Sequence, residues 1–227
     1  SPGERVLKGT ASELAEIPCA DLAVMLVLNP NSVNPFEPVR DEMLTRAKVP
    51  MTKEEVRWVS VARLGVQPGD TVWDVGAGTG AVTFELARKA MDGAVFAVER
   101  NTEAIELIMQ NRQKLGGFNV HIVQGHAPEV LADLPRPNCV FVGGSGGNMR
   151  EIIETALVKN PKARIAVNAI ALETLQETQR LFAEFGLQQV EITQLSAARG
   201  KSIGCYTMMT ANNPVFILSG KGDKYGE

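Results

Sequence analysis

The run Val72-Trp73-Asp74-Val75-Gly76-Ala77-Gly78-Thr79-Gly80-Ala81 joins a short apolar segment to a helical pattern through a glycine-rich turn. Glycine accepts positive φ and lets backbone N–H groups approach a ligand, and a helix start behind the turn adds further donors and a positive dipole end. The chemistry on offer is cofactor binding. Two spacings overlap here. Read as G-x-G-x-x-[GA], residues Gly76, Gly78 and Ala81 fit a dinucleotide fingerprint. Read as D-x-G-x-G-x-G, residues Asp74, Gly76, Gly78 and Gly80 fit the first motif of S-adenosylmethionine-dependent methyltransferases. Asp74 favours the second reading, because a carboxylate in the turn repels a pyrophosphate but accepts hydrogen bonds from a methionine ammonium group. Glu99, at the end of the next apolar run, suits either cofactor, since both carry ribose hydroxyls.

The elements that must position these residues follow from periodicity. Thr71–Val75, Val95–Glu99, Val120–Val123, Cys139–Gly143 and Ile165–Asn168 are apolar runs of strand length. Between them Val82–Met91, Thr102–Leu115, Asn148–Lys159 and Leu172–Phe185 show helical spacing, the last ending before Gly186. Strands alternating with amphipathic helices predict an α/β, Rossmann-like fold, a mostly parallel seven-stranded sheet with helices on both faces. Val190–Leu195 and Pro214–Ser219 are expected to complete the sheet as a hairpin-like pair, with the polar stretch Ala197–Gly204 as a loop. Ahead of the regular pattern, Thr52 and Glu55 have the spacing of a capping box. Further upstream, Gly9–Asn29 reads as a short helix followed by an apolar strand, Leu22–Leu28. Pro30, Pro35, Pro38 and Pro50 then mark an extended connector.

In such a fold the ligand meets the carboxyl ends of the strands. The candidate cofactor residues are therefore Asp74, Gly76, Ala77, Gly78, Thr79 and Gly80 of the turn, and Glu99 and Arg100 after the second strand. Gly125, His126 and Ala127 follow the third strand, where backbone groups face an adenine ring. Gly143 follows the fourth, and Thr52 is placed to fold over from before the sheet.

Composition narrows the partners. With 227 residues, 44% of them hydrophobic, the chain can bury an ordinary core. A net charge of -3 carries none of the basic excess that would make nucleic acid the default partner. No run approaches the ~20 apolar residues of a membrane span, and residues 1–20 lack the pattern of a signal peptide, so a cytoplasmic protein is expected. Cys19, Cys139 and Cys205 read as reduced, packed thiols, and two histidines without a familiar zinc spacing predict no metal site.

Three further runs carry a resemblance: Val49-Pro50-Met51-Thr52-Lys53-Glu54-Glu55-Val56-Arg57, Phe141-Val142-Gly143-Gly144-Ser145-Gly146-Gly147, and Asn213-Pro214-Val215-Phe216-Ile217. Over about Pro38–Ser219 the sequence resembles the decarboxylating precorrin methyltransferases that act at carbon 15 in vitamin B12 (cobalamin) synthesis. Residues 1–29 resemble the last helix and strand of the tetrapyrrole methylase domain that methylates carbon 5. The resemblance implies residues 1–29 as a remnant of that domain, 30–50 as a connector and 51–227 as a class I S-adenosylmethionine-dependent methyltransferase domain, together a fragment of a fused enzyme. It also implies a precorrin substrate, loss of carbon dioxide from the carbon-12 acetate, and a homo-oligomer such as a tetramer.

Where nitrogen-directed methyltransferases carry an Asn or Asp before Pro-Pro, this chain has Gly143, Gly144, Ser145, Gly146 and Gly147, a small-residue loop that leaves room for a flat macrocycle. Its carboxylates need cations, and Arg150, Arg199 and Lys201 are the candidates beside the loop residues Gly144–Gly147. A methyltransferase of another substrate, such as tRNA adenine or isoaspartyl protein, and a non-catalytic cofactor-binding module remain alternatives at this level.

Overall fold

The structure, a computed structural model, describes residues 5–19, 22–28 and 37–223. The chain divides near residue 32 into two units. In the first, helix α1 (Ala11–Ala15) begins at a capping box between Thr10 and Glu13. The expected strand at Leu22–Leu28 does not form: the segment has no regular structure, and Val24 is 99% exposed. A single strand has no partner for its backbone donors and acceptors, so an apolar, β-branched run alone does not make a sheet.

The second unit holds the sheet. Its strands are β1 (Thr71–Val75), β2 (Ala94–Glu99), β3 (Val120–Gln124), β4 (Cys139–Val142), β5 (Arg164–Ala169), β6 (Gln188–Leu195) and β9 (Val215–Lys221), in the order β3-β2-β1-β4-β5-β9-β6. β1 pairs in parallel with both β2 and β4, while β9 runs antiparallel between β5 and β6. The seven-stranded, mostly parallel sheet expected from the alternation is therefore present. So is the antiparallel pairing of the last two strands.

Side chains alternate across the sheet. Val72 of β1 packs on one face with Phe84, Leu86 and Ile108, whereas Trp73 and Val75 pack on the other with Ile152, Ile153 and Phe182. The first face is covered by α2 (Glu54–Leu64), α3 (Ala81–Lys89) and α4 (Thr102–Leu115), the second by α5 (Met149–Lys159) and α6 (Leu172–Glu184). The sheet order reverses between β1 and β4, which opens a crevice at the carboxyl ends of those strands.

Three expectations are corrected. The polar stretch Ala197–Gly204 is not a loop but contributes β7 (Ala198–Ile203), paired with β8 (Tyr206–Ala211) in a separate two-stranded hairpin. Almost all of its side chains are exposed, so it buries no face to leave a period-two signal. The connector is packed from Val39 onward: Val39 and Leu44 are buried in the core, and the Val39 N–H donates to Glu85 Oε1 at 2.7 Å. Third, the Thr52–Glu55 capping box is absent. Lys53 is the N-cap of α2 and makes no side-chain cap, since an ammonium group carries no acceptor, and Glu55 is engaged by Arg199. Of the cysteines, Cys139 is buried but Cys19 and Cys205 are exposed, and all three are free.

Candidate functional site

A cleft of about 550 Å³ opens over the carboxyl ends of β1, β2 and β4. Its floor is the glycine-rich turn. Gly76 and Ala77 donate their N–H groups to the Val98 carbonyl at 3.0 and 3.1 Å, which ties the turn to β2. Gly76 has φ +75°, and a Cβ there would lie 2.7 Å from the Gly144 carbonyl oxygen, so only glycine lets the two loops meet. Gly80 then starts α3, with the Phe84 N–H donating to its carbonyl at 3.0 Å.

Asp74 lies at the bottom of the cleft. Its Oδ2 accepts a hydrogen bond from the Thr83 hydroxyl, while Oδ1 is buried with no partner. Burial pushes the carboxyl up to about 7, against the lowering effect of the Thr83 bond, and the nearby Glu99 carboxylate pushes it the same way. An unpaired buried carboxylate oxygen is costly unless a cation or donor arrives. Glu99 is differently placed: Oε2 accepts from the Gly78 N–H at 2.8 Å, and Oε1 from the Arg100 and Asn101 N–H groups at 2.8 and 2.9 Å. Three of its four lone-pair positions are thus filled, which fixes its orientation and leaves one acceptor for a ribose hydroxyl. These residues fit S-adenosylmethionine: Asp74 for the ammonium group, Glu99 for the ribose, and the turn between them. The buried, unpartnered Thr79 hydroxyl adds a second unsatisfied group to the cleft.

Thr52, Gly125, His126, Ala127 and Gly143 all line the cleft, as do Ala77 and Arg100, so the candidate cofactor residues are brought together apart from Gly80, which lies just behind the wall. Gly144, Ser145 and Gly146 line its other side, and Gly147 lies beyond them. Asn148 Nδ2 donates to the Ala127 carbonyl at 2.9 Å and ties the glycine loop to the segment after β3. The candidate cations are not at the cleft. Arg150 forms an ion pair with Glu184 and lies over the Phe185 ring, 5.5 Å from its centroid. Arg199 is held by Glu55 and Asp41, and Lys201 is exposed on β7. The lysine and arginine that do line the cleft are Lys53 and Arg100, and Arg100 Nη1 lies 3.8 Å from where a Gly146 Cβ would stand.

Sequence reasoning missed Asn168 and Asn212. Asn168 is the last residue but one of β5, at the carboxyl edge where a polar residue in an apolar strand marks a ligand site. The Ser60 hydroxyl lies 2.7 Å from the Val56 carbonyl oxygen and 2.9 Å from Asn168 Oδ1, and Asn168 Nδ2 is buried with no partner. Asn212 enters from the loop before β9, which carries no periodic signal.

With this geometry in view, a profile of the precorrin methyltransferase domain family matches residues 45–221. The chain belongs to that family. A probable cobalt-precorrin-6B C(15)-methyltransferase (decarboxylating) of Pyrobaculum calidifontis is 42% identical over 184 residues, 80% of this chain and 94% of the relative. The crystal structure of precorrin-6y C5,15-methyltransferase from Geobacter metallireducens superimposes with a TM-score of 0.76 at 35% identity, covering 81% of this chain and 97% of that one. The C-terminal domain of precorrin-6Y C5,15-methyltransferase from Rhodobacter capsulatus gives a TM-score of 0.69 at 27% identity, covering 83% of this chain and all of that one. The precorrin methyltransferase fold is thus the class I methyltransferase sheet described above, and S-adenosylmethionine is its methyl donor.

Proposed function

We propose that this member of the precorrin methyltransferase family methylates carbon 15 of a precorrin and promotes loss of carbon dioxide from the acetate on carbon 12. The observation that carries the reading is the Gly143–Gly146 wall, which faces the donor-binding turn across one cleft and brings no side chain larger than serine to it. A wide, flat acceptor fits there. When bound, S-adenosylmethionine supplies an electrophilic sulfonium methyl group. The chain's own part is positional. Asp74 and Glu99 fix the donor's two ends, Gly125, His126 and Ala127 border its base, and residues 49–53 close over the turn and exclude water. The electron pair released by decarboxylation is delocalised in the macrocycle itself, and a proton must then reach the carbon that carried the carboxyl group to leave a methyl group there.

The test is to incubate the protein with S-adenosylmethionine and an isolated precorrin, and to follow product mass. A gain of one methyl group with loss of one carboxyl group is expected. Methylation with the carboxyl retained, or none while the cofactor is bound, would contradict the proposal.

Substrate carboxylates meet Lys53 and Arg100 in this reading, in place of Arg150, Arg199 and Lys201. Charge-assisted contacts contribute about 1.5–3 kcal/mol each, so Lys53→Gln or Arg100→Gln is expected to weaken binding of a corrinoid analogue by about tenfold or more at saturating S-adenosylhomocysteine. Arg150→Gln should leave it unchanged. An equal loss in Arg150→Gln would place the carboxylates on α5 instead.

The remaining assignments are part of the same proposal. Residues 1–29 belong to a carbon-5-methylating domain, in keeping with the Rhodobacter capsulatus neighbour, which is the C-terminal domain of a C5,15-methyltransferase, and with the exposed apolar run Leu22–Leu28. The protein is cytoplasmic in this reading, and a homo-oligomer such as a tetramer accords with the apolar side chains of Tyr206, Met208 and Met209 that β8 exposes. No helix among the described residues is long and apolar enough to cross a membrane, and no acidic, cysteine or histidine cluster among them could hold a metal.

A further inference from the structure

We infer that Arg199 is a positioning residue for the cofactor site, acting through Asp41 and Arg57 on the segment that ends at Thr52. The inference rests on the cleft being the cofactor pocket. Val49, Pro50, Met51, Thr52 and Lys53 line that cleft as a strap, and the Pro50 carbonyl oxygen lies 3.4 Å from where a Gly78 Cβ would stand. Where the strap lies therefore decides how much room the donor has above the turn.

One buried side chain ties Thr52 of the strap to the segment Val39–Asp41 upstream of it. Arg57 of α2 has no exposed side-chain surface; its Nη1 donates to the Thr52 carbonyl at 2.6 Å and to Asp41 Oδ1 at 2.6 Å, and Nη2 donates to the Val39 carbonyl at 2.6 Å. Asp41 thus shares with the Thr52 carbonyl one nitrogen of the Arg57 guanidinium. Its other oxygen, Oδ2, accepts from Arg199 Nη1 at 2.9 Å. Arg199 in turn grips Glu55 with two parallel bonds, Nε to Oε1 at 2.7 Å and Nη2 to Oε2 at 2.6 Å. The hairpin β7–β8, which touches the cleft nowhere along its strands, is by this route tied to the backbone that covers the donor.

The electrostatics explain why arginine is needed. Asp41, Glu54 and Glu55 converge there, and Arg199 lies within ion-pair distance of all three. Without it their mutual repulsion falls on Arg57 and the exposed Arg40, and Asp41 is free to turn away. Lysine replaces the charge but cannot make two parallel bonds to Glu55 and a third to Asp41 in one plane.

The test is calorimetric titration of S-adenosylhomocysteine into the full chain and its variants. Arg199→Gln is expected to weaken binding by about fivefold to tenfold, a size usual for residues that act on a site through a bonded chain, with the ligand-free melting temperature near that of the unaltered protein. Arg199→Lys should fall between. Asp41→Asn should weaken binding as well, and adding Arg199→Gln to it should cause no further loss, because both break the same chain. Unchanged affinity in Arg199→Gln, or losses that multiply in the double variant, would overturn the inference. A lowered melting temperature with affinity intact would also overturn it, as the mark of a purely structural pair. If the unaltered chain fails to bind S-adenosylhomocysteine, it is the reading of the cleft that fails.

Discussion

Replacing Gly76 with alanine is expected to reduce S-adenosylhomocysteine affinity by at least about a hundredfold. Two costs add at this position. Left-handed backbone at a residue with Cβ costs roughly 1–2 kcal/mol, and the new methyl group would meet the Gly144 carbonyl oxygen at 2.7 Å, backbone against backbone, with no side chain to swing aside. The strain is relieved only by parting the turn from the glycine loop, which opens the floor of the cleft. Gly65→Ala is the control: it has the same left-handed strain at φ +65° but nothing within 4 Å of the added carbon. It should lower the melting temperature slightly and leave the affinity alone. Gly78 lies between these cases, since its Cβ would come only to 3.4 Å from Pro50, and valine rather than alanine is needed there to press on the strap. Titration calorimetry on the three variants checks the order, and unimpaired binding by Gly76→Ala would remove the turn from the cofactor site.

The second large effect is on pH. With the Asp74 carboxyl pushed up to about 7 by burial, this group is largely protonated at pH 5 in the unliganded pocket. An incoming ammonium group favours the carboxylate, so binding must release the proton, and affinity should rise by up to about tenfold per pH unit from 5 towards 7 before levelling. Asp74→Asn should flatten that profile and bind weakly throughout. Stability moves the opposite way. The folded value lies above the ordinary 3.8, so this group's contribution is full below about 3.8 and is lost as pH rises to about 7. The penalty at pH 8 is at most about 4 kcal/mol. Asp74→Asn should therefore raise the ligand-free melting temperature at pH 8 and change it little at pH 4. A pH-independent affinity in the unaltered protein would mean that Asp74 does not meet the ammonium group.

Much of this site was legible in the sequence because its signals are local. Helix α4 begins and ends where its pattern says, at Thr102 and Leu115, since Asn101 caps one end with its side chain and Gly116 stops the other. The turn, Glu99 and the glycine loop fall at strand ends, which an alternating pattern locates without knowledge of contacts. What stayed hidden depends on distant partners. Arg57 shares its buried stripe with Ser60, Val61 and Leu64, so helical spacing alone could have flagged a buried arginine, but not its partners. Arg199 was singled out as a cation and assigned to the substrate, because nothing in the chain order brings it to Glu55, 144 residues away. Leu22–Leu28 failed for the reverse reason: its composition suits a strand, and a strand exists only where another lies beside it.

The strap and the glycine loop border one shared cleft, and that imposes an order in time. In the proposed reading a macrocycle rests against residues 143–146, which border the same cleft as the turn, and the donor is then expected to enter first and the spent donor to leave last. Turnover should then slow at high product concentration even when fresh donor is abundant, the kinetic signature of a compulsory sequence.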